Sequence, residues 1–365
     1  MTLSLYIARR FLTTFMLVFT GFFGVLYLID MIDQMRRGGP SVFGVGDAAR
    51  LSLLHVPGTV YHILPLIMMF TAIALFLRLA RTSELVATRA AGRSALRTLA
   101  APVVAAFLVG AFAVAVLNPL VAATTKRYEA LSDRLDQGGG SAASLSADGL
   151  WLRQGDPQGQ WVIHSARTDL AGTTLSDASF FSFGTTGGPT RRIEAATAHL
   201  VQGSWQLNDA KEWKFSAAGN PEAEAIRHKT LSLTTELTAD QIRESFGTPA
   251  TVSIWDMRAF IANLDRAGFS SRKHAVWLQT ELALPLLLAA MLLVGAGFTM
   301  RHARLGNSGL LVLLALASGL AVFFIRNFAQ VLGESGQIPV MLAAWSPPVA
   351  AALLSVSLLL HLEDG

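Results

Sequence analysis

The residue types that carry covalent chemistry are present in this chain, but not at spacings that work together. Ser270-Ser-Arg-Lys273 matches S-x-x-K, yet it precedes a long apolar run and lacks the companion motifs of that hydrolase class, so it reads as coincidence. The eight histidines form no H-E-x-x-H, and His164, His199 and His228 are scattered through alternating sequence as surface or core positions. Cysteine is absent, which excludes disulfides and thiolate-bound metal. There is no G-x-S-x-G and no G-x-x-x-x-G-K-[ST]; even the dipeptide Gly-Lys does not occur. No catalytic or metal constellation emerges, and no cofactor is expected on this chain.

What remains is charge in confined places. RTSELVATRAAGRS, residues 81–94, carries three arginines, one glutamate and no lysine. Ser83 is placed to cap a helix starting at Glu84, whose carboxylate suits a helix N-terminus, and Gly92 stops the turn. Leu85, Ala87, Ala90 and Ala91 give a small apolar face, with Arg89 and Arg93 as a basic edge one turn apart. Two readings stay open from the residues alone: a docking knob for a partner, or an arginine-rich loop that touches only lipid headgroups.

A second group of charges flanks apolar runs. Asp30 and Asp33 precede Arg36 and Arg37; Glu281 lies about six residues into an apolar run, roughly 9 Å along a helix; Arg326 lies near the end of another. Ionisable groups at such depth usually face a bundle interior or a wet cavity. They serve either as a site for an anionic headgroup, whose phosphates suit arginine forks, or as snorkelling side chains and a structural Glu–Arg pair.

The elements that position these residues follow from hydropathy. The chain has 365 residues, 52% hydrophobic and 15% charged, and a mean hydropathy of +0.46, which reads as an integral membrane protein. Its net charge of +4 does not indicate nucleic acid, because Arg78, Arg81, Arg89, Arg93 and Arg97 crowd one short region beside the membrane. Six runs reach spanning length: 11–32, 60–80, 98–123, 275–299, 307–330 and 340–361. Arg9 and Arg10, the 78–97 cluster, and Arg301 with Arg304 fall on one side, so that side and both termini are expected in the cytoplasm.

Residues 126–252 differ. They are polar and glycine-rich, with alternating runs such as GLWLRQ, QWVIHSA, SWQLNDA and KTLSLTTEL, which predicts an antiparallel β domain, a sandwich or jelly roll, on the periplasmic side. Residues 138–141, GGGS, read as a hinge. SIWDMRAFIANLDRAG, 253–268, predicts an interfacial helix returning the chain to the membrane, with Ile254, Met257, Ile261 and Leu264 on one face. The organisation expected is therefore 1–125 with three spans and a short cytoplasmic helix at about 82–92, then the β domain at 126–252, then 253–365 with the interfacial helix and three more spans.

S-E-L-V-A-x-R-A-A-G-x-S at 83–94, I-D-Q-M-R-R-G-G at 32–39, G-L-W-L-R at 149–153 and D-M-R-A-F-I-A-N-L-D-R-A-G at 256–268 lie in order along nearly the whole chain. Together they resemble the LptF/LptG family of lipopolysaccharide-export permeases, on the LptG side of that pair, which the I-D-Q-M-R-R-G-G stretch favours. The resemblance implies a bacterial inner-membrane subunit of an ABC transporter. It implies pairing with LptF, two copies of the ATPase LptB that use ATP and Mg, delivery of lipopolysaccharide to a periplasmic LptC/LptA bridge, and a coupling helix after the second span. Carried onto this chain, Ser83, Glu84, Leu85, Arg89 and Gly92 would dock the ATPase, with Glu84 as electrostatic anchor and Leu85 as apolar knob. Arg36, Arg37 and Arg326 would meet headgroup phosphates. Phe22, Phe23, Leu26 and Tyr27 of the first span, Phe323 and Phe324 of the fifth, and Asp30, Asp33 and Glu281 would line the cavity or its gates. Asp30 departs from relatives that carry a basic residue there. Two rival classes remain: a non-transporting scaffold or sensor, which has no need of Glu84, and an ion-driven lipid carrier with Glu281 or Asp30 as a proton site.

Overall fold

The computed structural model describes residues 2–38, 44–90, 94–135, 143–146, 149–156, 159–168, 173–184, 188–201, 203–215, 220–235, 242, 248–267, 270–300 and 308–364. It divides into two compact units, one of residues 1–131, 250–255 and 272–365, the other of residues 132–249 and 256–271.

The first unit is helical: α1 (Thr2–Gly38), α2 (Val45–His62), α3 (Leu64–Arg81), α4 (Glu84–Ala90), α5 (Ala95–Phe112), α6 (Asn118–Leu135), α8 (Arg272–Thr299), α9 (Ser308–Glu334) and α10 (Val340–Asp364). Six helical stretches are long and apolar enough to cross a membrane: Leu3–Arg36, Leu64–Arg81, Leu96–Glu129, Arg272–Thr299, Gly309–Glu334 and Val340–His361. They coincide with the six expected runs. The second run gains a sharper start, because Ile63 separates α2 from α3 and Pro65 sits in the first turn of α3, where its missing N–H costs nothing. The third span bends through a π turn, Ala113–Leu117, that joins α5 to α6.

α8 is the axis of this unit, with 78% of its spanning stretch buried, against 6% for α1 and 17% for α9. Its Pro285 rests on Gly110 of α5, where a side-chain carbon would come within 2.5 Å of the proline Cα. Without a hydrophobic drive between helices in lipid, such backbone approach supplies the packing. Ile67, Met68, Met69, Leu75 and Phe76 of α3 meet Leu284, Leu287, Leu288, Met291 and Leu292 of α8 in one buried cluster.

The second unit is a single seven-stranded antiparallel sheet: β1 (Ala143–Ser146), β2 (Gly149–Asp156), β3 (Gly159–Thr168), β4 (Thr174–Gly184), β5 (Pro189–Val201), β6 (Ser204–Lys214) and β7 (Ile226–Thr234). The inserted antiparallel domain stands as expected, but its connectivity is a meander. The strands neighbour one another in chain order, and no Greek-key crossover of the jelly-roll kind links the described strands. Alternation sends Leu150, Leu152, Trp161, Ile163, Phe180, Ile193, Trp205 and Leu207 into one core. The pairing of β4 with β5 and of β5 with β6 breaks at Asp177 and Asp209, whose φ values are +54° and +49°. Aspartate tolerates this left-handed conformation, which bends a strand.

The helix predicted at the membrane interface, α7 (Met257–Ala267), belongs to this second unit. Leu264 and Phe260 pack against the sheet core, so its apolar face is taken by protein. The expected face also divides: Ile254 belongs to the helical unit, where its N–H donates to Asn118 Oδ1 at 2.9 Å. Gly268, the last residue of that stretch, and the hinge at 138–141 lie outside the described residues.

Candidate functional site

α4 fills the link between the second and third spans. Glu84 opens it and accepts four hydrogen bonds from three residues of the same chain. Arg10 Nη1 on α1 donates to Oε1 at 2.6 Å and to Oε2 at 2.7 Å; Thr82 Oγ1 donates to Oε1 at 2.9 Å; the Tyr6 hydroxyl donates to Oε2 at 3.2 Å. Arg10 also donates to the Tyr6 hydroxyl. Burial works to raise the Glu84 carboxyl, but the hydrogen bonds from Arg10 and Thr82 overrule it and hold the acid below the usual carboxylate range.

Ser83 does not take the extended backbone of a capping residue. Its φ is +58°, a left-handed turn worth roughly 1 kcal/mol of strain in a non-glycine residue, and Thr82 supplies the side-chain contact instead. Leu85 is not an exposed knob: it is 7% exposed and packs into the helical core. Beside it a cavity of about 260 Å³ is lined by Leu3, Tyr6, Ile7, Leu79, Thr88 and Thr98. Gly92 and the Arg89 side chain lie outside the described residues.

At the far end of α1, Asp30 Oδ1 lies 2.7 Å from His55 Nδ1 on α2. His55 stacks on Tyr128 of α6, with ring centroids 4.7 Å apart, and Gln34 Nε2 donates to the Tyr128 hydroxyl at 3.0 Å. Asp30 thus ties α1 to α2 rather than standing open in a cavity. Asp33 is half-buried and Arg36 is exposed; the Arg37 side chain lies outside the described residues.

A third cluster is deep in the helices. Glu281 is 1% exposed and accepts from the Tyr61 hydroxyl and, at 3.2 Å, from Asn118 Nδ2. Arg326 is 7% exposed, and its Nη1 has no hydrogen-bond partner among the described residues. No ion pair within 4.0 Å joins Glu281 and Arg326 among the described residues. Sequence reading missed Tyr61, Asn118 and His55. Asn118 had a signal, a lone amide inside the apolar run AVAVLNPLV.

The aromatic set divides by helix. Phe22, Phe23, Leu26 and Tyr27 are partly buried against the core, with Phe22 tilted on Phe70 at 5.5 Å. Phe323 meets His62 edge-on at 5.7 Å, whereas Phe324 is 65% exposed.

Six apolar helices, a β domain inserted between the third and fourth, and a short helix between the second and third are the build of a multi-span permease subunit. The family can be named more closely. The sequence profile described as "Lipopolysaccharide export system permease LptF/LptG" matches residues 5–361, and the chain belongs to that family. It is similar to the lipopolysaccharide export system permease protein LptG of Escherichia coli K12, 25% identical over 371 residues, covering 96% of this chain and 94% of that protein. It is also similar to LptG of Haemophilus influenzae, 22% identical over 348 residues and covering 92% and 91%.

Proposed function

We propose that this chain is the LptG-type permease of an ABC transporter that extracts lipopolysaccharide from the bacterial inner membrane. The observation that carries this reading is the family match over residues 5–361 on a fold with α4 between the second and third spans. LptF would be its paired permease and an LptB dimer its ATPase, acting through α4. Both termini would be cytoplasmic and the β domain periplasmic. α1 and α9 expose the largest share of their apolar length, as helices that face a shared cavity and a partner permease must. Arg36 and Arg37 at the end of α1, and Arg326 in α9, would take the phosphates of the headgroup. Partial burial of Phe22, Phe23, Leu26 and Tyr27 leaves one side of each for acyl chains. The β core, lined by alternating apolar residues, would carry those chains toward an LptC/LptA bridge, which an open sheet edge can join by strand pairing.

The test is co-purification of the tagged chain from mild detergent with identification of what comes with it, followed by ATP-driven release of lipopolysaccharide from proteoliposomes. Recovery of a P-loop ATPase and a second six-span permease, with ATP-dependent release, is the expected result. A chain that comes out with envelope proteins and no ATPase would overturn the proposal in favour of a scaffold. Lipid movement that follows an ion gradient without ATP would favour a carrier.

A further inference from the structure

We propose that Arg10 is a positioning residue that fastens α4 to α1, so that α1 moves with the coupling segment as one lever. This rests on the reading of α4 as the coupling segment. A glutamate that serves only as a handle for a partner should leave its oxygens open. Both oxygens of Glu84 are instead engaged by the chain's own donors, Arg10 on each, with Thr82 on one and Tyr6 on the other. Arg10–Glu84 is the ion pair that anchors α4 among the described residues, and it is partly sheltered, with Arg10 15% and Glu84 33% exposed. Tyr6 sets the geometry from below: its ring lies 5.6 Å from the guanidinium carbon and its hydroxyl accepts from the same nitrogen.

α1 is suited to be the lever. It runs unbroken from Thr2 to Gly38 without proline, about 55 Å at 1.5 Å per residue, and it is the least buried of the spans. Twenty residues beyond Arg10, about 30 Å along the axis, Asp30 grips His55 of α2. A push on α4 therefore reaches the far end of α1 through one ion pair and one continuous helix.

The chain's lack of cysteine makes the test direct. Thr88→Cys places a thiol on α4 beside the cavity, and its maleimide labelling in membranes reports how firmly α4 is held, with or without an ATPase. Arg10→Gln should speed labelling about fivefold or more, while Arg10→Lys should keep most of the protection, as loss of a charge-assisted clasp predicts. In the whole complex, lipopolysaccharide released per ATP hydrolysed should fall about fivefold in Arg10→Gln, and the exchange Arg10→Glu with Glu84→Arg should recover at least about half of it. An unchanged labelling rate in Arg10→Gln overturns the latch. So does a double exchange no better than the worse single one. Absence of any ATPase with the unmodified chain would sink the coupling reading instead, and the labelling result would still decide the latch.

Discussion

Asn118→Ala removes one small side chain and should unsettle the centre of the helical unit. Asn118 Oδ1 accepts the N–H of Ile254 at 2.9 Å, and Nδ2 donates to Glu281 at 3.2 Å. Truncation leaves a buried N–H and a buried carboxyl each short of a partner. An unmade buried hydrogen bond costs about 1–3 kcal/mol, so the two together amount to roughly 2–6 kcal/mol. Tyr61→Phe takes away only one donor from Glu281 and leaves Ile254 satisfied, so it should cost about half as much. Because both changes strip the same carboxyl, the double variant should depart from additivity by about 1 kcal/mol. The assay is thermal unfolding of the detergent-purified chain at a fixed scan rate, where about 3 kcal/mol lowers the midpoint by at least about 5 °C. A fall of less than about 1 °C for Asn118→Ala would show that Ile254 and Glu281 find other partners, and would refute the role given to Asn118.

Three further outcomes are expected. Burial acts to raise Glu212 of the β unit, but the Arg191 charge 2.7 Å away and His228 3.0 Å away draw it below the carboxylate range. Its contribution is then present above the unfolded value of about 4.3 and is lost as pH falls through the lower folded value, and a melting series from pH 6 to pH 3 should show this slope flattened in Arg191→Ala. Gly110→Ala drives a methyl to 2.5 Å from the Pro285 backbone and should cost about 1–3 kcal/mol, read as an earlier melt of the helical unit. Trp205→Ala empties the centre of the sheet core, where the ring is 0% exposed and meets Phe180 edge-on, and should cost about 3–5 kcal/mol in the same assay.

Much of this architecture is legible in the chain itself. Apolar runs of spanning length need no tertiary information, and the six helices fall where they do because lipid tolerates nothing else there. Alternation likewise marks strands, but it says only which residues share a face; the order of neighbours, here a meander, depends on connections that alternation does not describe. α7 shows the same limit. An amphipathic helix reads alike whether its apolar face meets lipid or a sheet, and Leu264 and Phe260 chose the sheet.

The charged residues divide in the same way. Glu84, Asp30 and Glu281 were conspicuous by type and place, whereas their partners Arg10, His55 and Tyr61 lie 74, 25 and 220 residues away and are matched only by the fold. Those partners change what each acid can do. An unpaired Glu84 would be a handle; paired with Arg10 it is a joint. An unpaired Asp30 would repel a phosphate; held by His55 it secures the far end of α1. Glu281, bonded to Tyr61 and through Asn118 to the Ile254 backbone, fixes α8 to α2, α6 and the 250–255 segment. α1 is thus sparsely buried along its length and clasped at both ends, to α4 by Arg10 and to α2 by Asp30, beside a central α8 that is locked in place. On the coupling role proposed above, work applied at α4 would pass through Arg10 into α1.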